Sequence, residues 1–166
     1  MLKNEDAVFL VFTVGNRFFA LPAERVERVI AAVETLPLPG APSFLRGVIN
    51  CGGAAIPVID LRVRFGLPLR DILISDRFIF VKKEGTLFAF LVEFVDGVRS
   101  LHPAKITLPD SSLRRPGEKF EGSLVGMENK EERIILIQTV ETLFSMSETD
   151  IRCIENICSS LEEAVQ

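Results

Sequence analysis

Tryptophan and tyrosine are absent and histidine occurs once, so the chain has few side chains suited to chemistry. All 13 aromatic residues are phenylalanines, which fill volume or stack but cannot hydrogen-bond, and this assigns them chiefly to a core. Cysteine is also scarce. The three thiols are an odd number, and Cys153 and Cys158, five positions apart in a helical pattern, point to different sides of that helix. Neither a disulfide framework nor a metal clamp is expected, and no cofactor is called for. No uncharged apolar run reaches the roughly 18 residues that cross a bilayer, and the longest candidate is broken by Gly52, Gly53 and Pro57. The first seven residues carry Lys3, Glu5 and Asp6, and no small-residue cleavage pattern follows. The expectation is a cytoplasmic protein without direct membrane insertion. Excess positive charge is missing too. The 19 Lys and Arg against 23 Asp and Glu leave a net charge of −4, which opposes attraction to phosphate backbones and argues against nucleic-acid binding.

What is present is strand. A chain of 166 residues suffices for a single domain, 1–166, burying about 70% of its unfolded surface. Phe9 to Val14 is an apolar run ended by Gly15-Asn16 and resumed over Arg17 to Leu21, the pattern of two strands and a tight turn. Pro22 opens AERVERVI, where proline at a first helical position and the pair Val26 and Val29 predict one or two helical turns leading into another strand. PLPGAPSF, residues 37–44, has three prolines and a glycine and is irregular. Arg46 to Cys51 and Ala54 to Ile59 read as strands, with Gly52-Gly53 at the spacing of a two-residue hairpin turn needing positive φ. Asp60 is placed to cap a short helix, LRVRF.

Displaced by 69 positions, the chain matches itself. FLVFTVGNRFFALPAERVERV falls on FIFVKKEGTLFAFLVEFVDGV, setting Phe9 on Phe78, Phe19 on Phe88, Ala20 on Ala89 and Val29 on Val98. SLVGMENKEERIILI then answers VINCGGAAIPVI in the same order. Two strand-rich halves, about 7–72 and 76–145, would each expose edges and an apolar face unless each curled into a barrel and packed on the other. From Ser147, a capping-box pattern opens a C-terminal helix over about 147–164, with Ile151, Ile154, Cys158, Leu161 and Val165 at helical spacing.

Catalytic constellations are hard to assemble. His102 stands before Pro103 in an extended context and would have to serve any Cys-His or Ser-His pair alone. Cys51 reads as a small hydrophobe at a hairpin, with only Arg46 as a nearby cation. The alternative from another class is a thiol-dependent enzyme or redox sensor centred on that residue. Gly52-Gly53 lacks the surroundings of a phosphate loop, and Asp60 has no partner carboxylate. The phenylalanines at 9, 12, 18, 19, 78, 80, 88, 90 and 94 are expected in the core, with some free to line a groove between barrels. Such a groove would bind partner helices or strand edges.

Taken in order, FLVFTVG at 9–15, ALPAERV followed by VI at 20–30, PLPGAPSFLRGVIN at 37–50 and the IPVIDLR stretch ending at Arg62 resemble the CheW family of chemotaxis coupling proteins. FLVEFVDGV at 90–98 and RIILI at 133–137 extend the resemblance over nearly the whole chain. It implies a mostly β fold of two five-stranded SH3-like barrels on a shared core, with short helices and a C-terminal helix. It also implies an adaptor without catalysis, whose partners are the cytoplasmic tip of a chemoreceptor and the regulatory domain of a CheA-type histidine kinase, recruited to membrane receptor arrays. Carried over by position, Val26 and Val29 match apolar residues of the family's groove, and Gly47, Asn50 and Gly53 match its signature around the hairpin. Four positions depart from the family. Cys51 and Gly52 give N-C-G-G in place of N-L-R-G, Arg28 replaces a usual glutamate, and Glu93 replaces a usual aspartate. Loss of an interface arginine typically costs about 2 kcal/mol, or roughly thirtyfold in affinity. The departures therefore point to a divergent adaptor with its own receptor or kinase, including the alternative of a non-flagellar chemosensory pathway.

Overall fold

A computed structural model describes residues 5–107, 124–128 and 133–144, together with Arg152, Ile154, Asn156, Ser159 and Ser160 of the C-terminal segment. The first half contributes strands β1 (Ala7–Val14), β2 (Arg17–Pro22), β3 (Val26–Ala31), β4 (Leu45–Cys51) and β5 (Ala54–Asp60), followed by a one-turn helix α1 (Leu61–Arg64). The second contributes β6 (Arg77–Lys83), β7 (Thr86–Val92), β8 (Phe94–Leu101), β9 (Ile106–Thr107), β10 (Leu124–Glu128) and β11 (Arg133–Ile137), followed by α2 (Val140–Leu143). The helical turns expected after Pro22 amount to a single 3-10 turn, Ala23–Arg25, and Val26 already belongs to β3.

The chain is mostly β, arranged as two sheets that are not closed barrels. One has the order β8-β1-β2-β11-β10-β9 and the other β3-β6-β7-β5-β4. Each sheet draws strands from both halves of the repeat. The 69-residue displacement survives in the pairing: Leu10 opposes Val98 between β1 and β8, and their counterparts Ile79 and Val29 oppose each other between β6 and β3. Each half thus lends its third strand to the other half's hairpin. Both exchanged strands slip register at an acidic residue, Glu27 in β3 and Asp96 in β8, which are passed over in the pairing.

The central hairpins read as continuous apolar runs because both of their faces are covered. Along β1, Leu10, Phe12 and Val14 face one cluster while Phe9 and Val11 face another. Along β6, Ile79 and Val81 join the first cluster while Phe78 and Phe80 join a third. One apolar cluster therefore lies inside the curl of each sheet, and the largest lies between the sheets. That shared core also takes Leu61, Val140, Leu143 and Phe144 from the two short helices and Ile154 from the C-terminal segment. Phe65, just past α1, stacks on Phe19 at 4.4 Å between ring centroids. The capping pattern at Ser147 and the thiols Cys153 and Cys158 lie outside the described residues.

Phe94 departs from the core assignment. It is 55% exposed because it opens β8, an edge strand of its sheet, and among the described residues no strand lies beyond it.

Candidate partner-binding surface

The candidate residues from the first half converge on the two edges of one sheet. β3 and β4 are its outer strands. Val26 and Val29 on β3 are half-buried and pack against the shared core. Between them, the Arg28 guanidinium lies over the Phe80 ring, 4.7 Å from its centroid, and donates to Cys51 Sγ on the opposite edge. The cation spans the open seam of the curled sheet where no backbone ladder joins β3 to β4. Cys51 is accordingly half-buried at the margin of the cluster inside that sheet. The sequence showed only Arg46 near this thiol, whereas folding brings up Arg28, 23 positions away.

The hairpin tip is built as its glycines require. Gly52 and Gly53 have φ of 62° and 88°, and the Gly53 amide donates to Asn50 Oδ1 at 3.0 Å. Both glycines face open space, so a side chain at position 52 would meet no neighbouring atom and would contend only with the left-handed backbone. Gly47 differs. It is buried, with φ 128°, because the Leu36 backbone crosses directly over it. Leu36 and Val48 exchange backbone hydrogen bonds of 2.9 and 3.0 Å, covering that stretch of the β4 edge.

Glu93 lies elsewhere. It sits between β7 and β8, where the chain passes from one sheet to the other, accepts from the Gly15 amide at 3.1 Å and pairs with Arg62 of α1. It anchors a run of buried or half-buried ion pairs that sequence reasoning missed. Arg46 donates to Asp60 at 2.9 Å, and Arg70 grips Asp76 through two bonds of 2.8 and 2.9 Å while standing 3.8 Å from Glu93. Asp60 performs the capping expected of it, accepting from the Arg62 amide at 2.9 Å. The signal available in the sequence was a set of arginines and acids at the ends of apolar strands, but partners up to 31 positions apart carry no local pattern.

Burial alone would raise the Asp76 carboxyl. The Arg70 guanidinium and the Leu73 amide outweigh it and hold the group below the ordinary carboxylate value. The Asp76 hydrogen bond likewise raises the Arg70 guanidinium above its usual value. With a folded-state pKa below the unfolded one, the pair stabilises the fold fully above the unfolded carboxylate pKa of about 3.9, and that stabilisation fades as pH falls through the folded value. Urea midpoints between pH 7 and pH 3 should therefore fall less steeply for Asp76→Asn than for the parent. Parallel curves would remove Asp76 as a source of the acid dependence.

His102 uses Nδ1 to accept from the Ala104 amide at 3.1 Å, capping the 3-10 turn Pro103–Lys105. Among the described residues no hydrogen bond joins it to Cys51.

A family model described as the CheW-like domain matches residues 8–148. The chain belongs to the CheW-like family. Its relatives include Protein FrzA of Myxococcus xanthus, 34% identical over 125 residues that span 74% of this chain and 77% of that protein. The chemotaxis protein CheW of Klebsiella aerogenes is 26% identical over 157 residues, 92% of this chain and 89% of its own. The crystal structure of the scaffolding protein TtCheW from Thermoanaerobacter tengcongensis matches the fold with a TM-score of 0.73 at 25% identity, over 86% of this chain and 94% of that one. The paired, strand-exchanged sheets are thus a CheW-like architecture.

Proposed function

We propose that this protein is a non-catalytic scaffold of chemotaxis signalling, coupling the cytoplasmic tip of a chemoreceptor to the regulatory domain of a CheA-type histidine kinase. The match in sequence and fold to the scaffolding protein TtCheW over most of both chains carries this reading. The protein works in the cytoplasm and is recruited to receptor arrays at the membrane. Among the described residues no helix is long and apolar enough to cross a bilayer.

Val26, Val29 and the Asn50–Gly53 turn form the partner-binding face. Half-buried valines on an edge strand beside the hairpin offer apolar area whose shape is set before binding. Gly47 supports that face from below by admitting the Leu36 backbone, and exposed Asn50 holds the turn. Arg28 and Cys51 fix the seam between β3 and β4, so the departures at 28 and 51 are coupled to each other by contact.

A second reading within the same class, an adaptor of a chemosensory pathway with a non-flagellar output, rests on the altered charge at positions 28 and 52, which suits a receptor or kinase partner of its own. The reading from another class, a thiol-dependent activity at Cys51, has the Arg28 guanidinium as the group that touches the sulfur, and among the described residues no hydrogen bond joins the thiol to His102.

Co-purification of the full chain with its cognate kinase regulatory domain and receptor cytoplasmic fragment tests the scaffold. The parent should retain both, and Val26→Asp should weaken one of them about tenfold or more by burying a charge in the contact. Gly52→Arg should strengthen receptor binding if the missing arginine is what distinguishes this member. A folded parent that binds neither fragment would defeat the proposal.

A further inference from the structure

Away from this face, the segment after β3 and the segment before β6 enclose a groove of about 630 Å³. Its walls are aliphatic, with Val33, Leu38, Leu45, Leu69, Leu73 and Ile74 among the lining residues and no aromatic ring. Ile74 is 94% exposed, and Val33, Leu69 and Leu73 are each at least half exposed. So many large aliphatic side chains gathered at one concave site exceed the scatter of single apolar residues normal on a protein surface. Pro37 and Pro42 stiffen one wall, so little order has to be gained on binding.

Two features select the occupant. The backbone beside the groove is already used: Leu36 and Val48 bond each other, and the Thr35 hydroxyl donates to the Arg46 carbonyl at 3.0 Å. An added strand would find no free ladder there, whereas a helix satisfies its own backbone and brings only side chains. The rim is acidic. Glu34 and Asp71 line the groove and, among the described residues, neither is ion-paired. The cation in the lining, Arg46, is held by Asp60, and neighbouring Arg70 is held by Asp76. Arg77, close by, is turned onto the carbonyls of Ile74, Ser75 and Asp76.

We propose that this groove docks an amphipathic helix of a partner protein, one that presents an aliphatic stripe flanked by Lys or Arg. The groove shares no lining residue with the β3 and hairpin face, so its failure would leave the scaffold reading standing.

The test uses the full-length protein and two fluorescein-labelled helical peptides with the same leucine stripe, one with lysines and one with glutamates at the polar positions. Fluorescence anisotropy should show the lysine peptide binding about tenfold tighter than the glutamate peptide. Ile74→Asp, at an exposed position, should weaken the lysine peptide about tenfold even though it adds negative charge, because it removes the apolar contact. Val98→Asp on another exposed strand should leave binding unchanged. Glu34→Lys combined with Asp71→Lys should invert the preference between peptides. Equal binding of the two peptides, or indifference to Ile74→Asp, would overturn the proposal. So would a dimer in sedimentation velocity that Ile74→Asp dissolves, because the occupant would then be a second copy of this chain.

Discussion

Replacing Asp60 by alanine is expected to lower the unfolding free energy by about 3–5 kcal/mol, the cost of removing one partner from a buried ion pair. The carboxylate is fully buried and both of its oxygens are in use, Oδ1 capping α1 through the Arg62 amide and Oδ2 holding Arg46. Alanine leaves the Arg46 guanidinium, itself mostly buried, with the Arg70 carbonyl as its remaining acceptor at 2.8 Å. It also frees a helix-terminal amide, worth about 1 kcal/mol. The two losses share one side chain and do not simply add. Asp60→Asn keeps an oxygen for the cap and should cost less. Pairing Asp60→Ala with Arg46→Met removes both charges and should recover part of the loss. Urea unfolding monitored by circular dichroism reads all three variants. A deficit under about 1 kcal/mol for Asp60→Ala would mean that Arg46 escapes to water at little cost.

Gly47→Ala should destabilise by at least about 3 kcal/mol, combining backbone strain with overpacking. An alanine Cβ would stand 2.1 Å from the Leu36 carbonyl oxygen and 2.6 Å from its carbon, so backbone rather than a flexible side chain has to move. The φ of 128° adds strain that only glycine escapes. Gly52→Ala is the control: its φ of 62° is also left-handed, but a Cβ there meets nothing within 4 Å, and about 1 kcal/mol is expected. Similar losses at the two sites would show that the Leu36 crossing yields easily. Because Leu36 precedes the Pro37 wall of the groove, a binding defect in Gly47→Ala reports displacement of that segment and not the loss of a contact at Gly47.

Both predictions concern residues whose types stood out in the sequence for one reason and matter in the structure for another. Asp60 was legible as a cap because capping is local, depending on the amide two positions on. Its ion pair with Arg46 was not legible, although both residues stand at the open end of the hairpin that Gly52-Gly53 turns; strand pairing brings them side by side, but the side-chain contact itself has no sequence signal. Gly47 drew notice through a family signature, while its requirement for glycine comes from a backbone 11 positions earlier that crosses it only after folding. Glu93 stood among the candidate surface departures and turns out to clasp the turn of one sheet to α1 of the other.

The sequence by itself determined the hairpins, their positive-φ turns, the 69-residue repeat and the apolar faces of its strands. These follow from rules that act over a few residues: turn chemistry at Gly15-Asn16 and Gly52-Gly53, and side chains that alternate between faces. Tertiary structure alone decided which strands lie beside each other beyond the hairpins. A ladder is made of backbone groups that every residue possesses, so β3 could pair with β6 instead of its own hairpin without leaving a mark in composition or period. That exchange placed Arg28 across the seam and exposed Phe94 at an edge, while Glu93 came to join the turn of one sheet to α1 of the other.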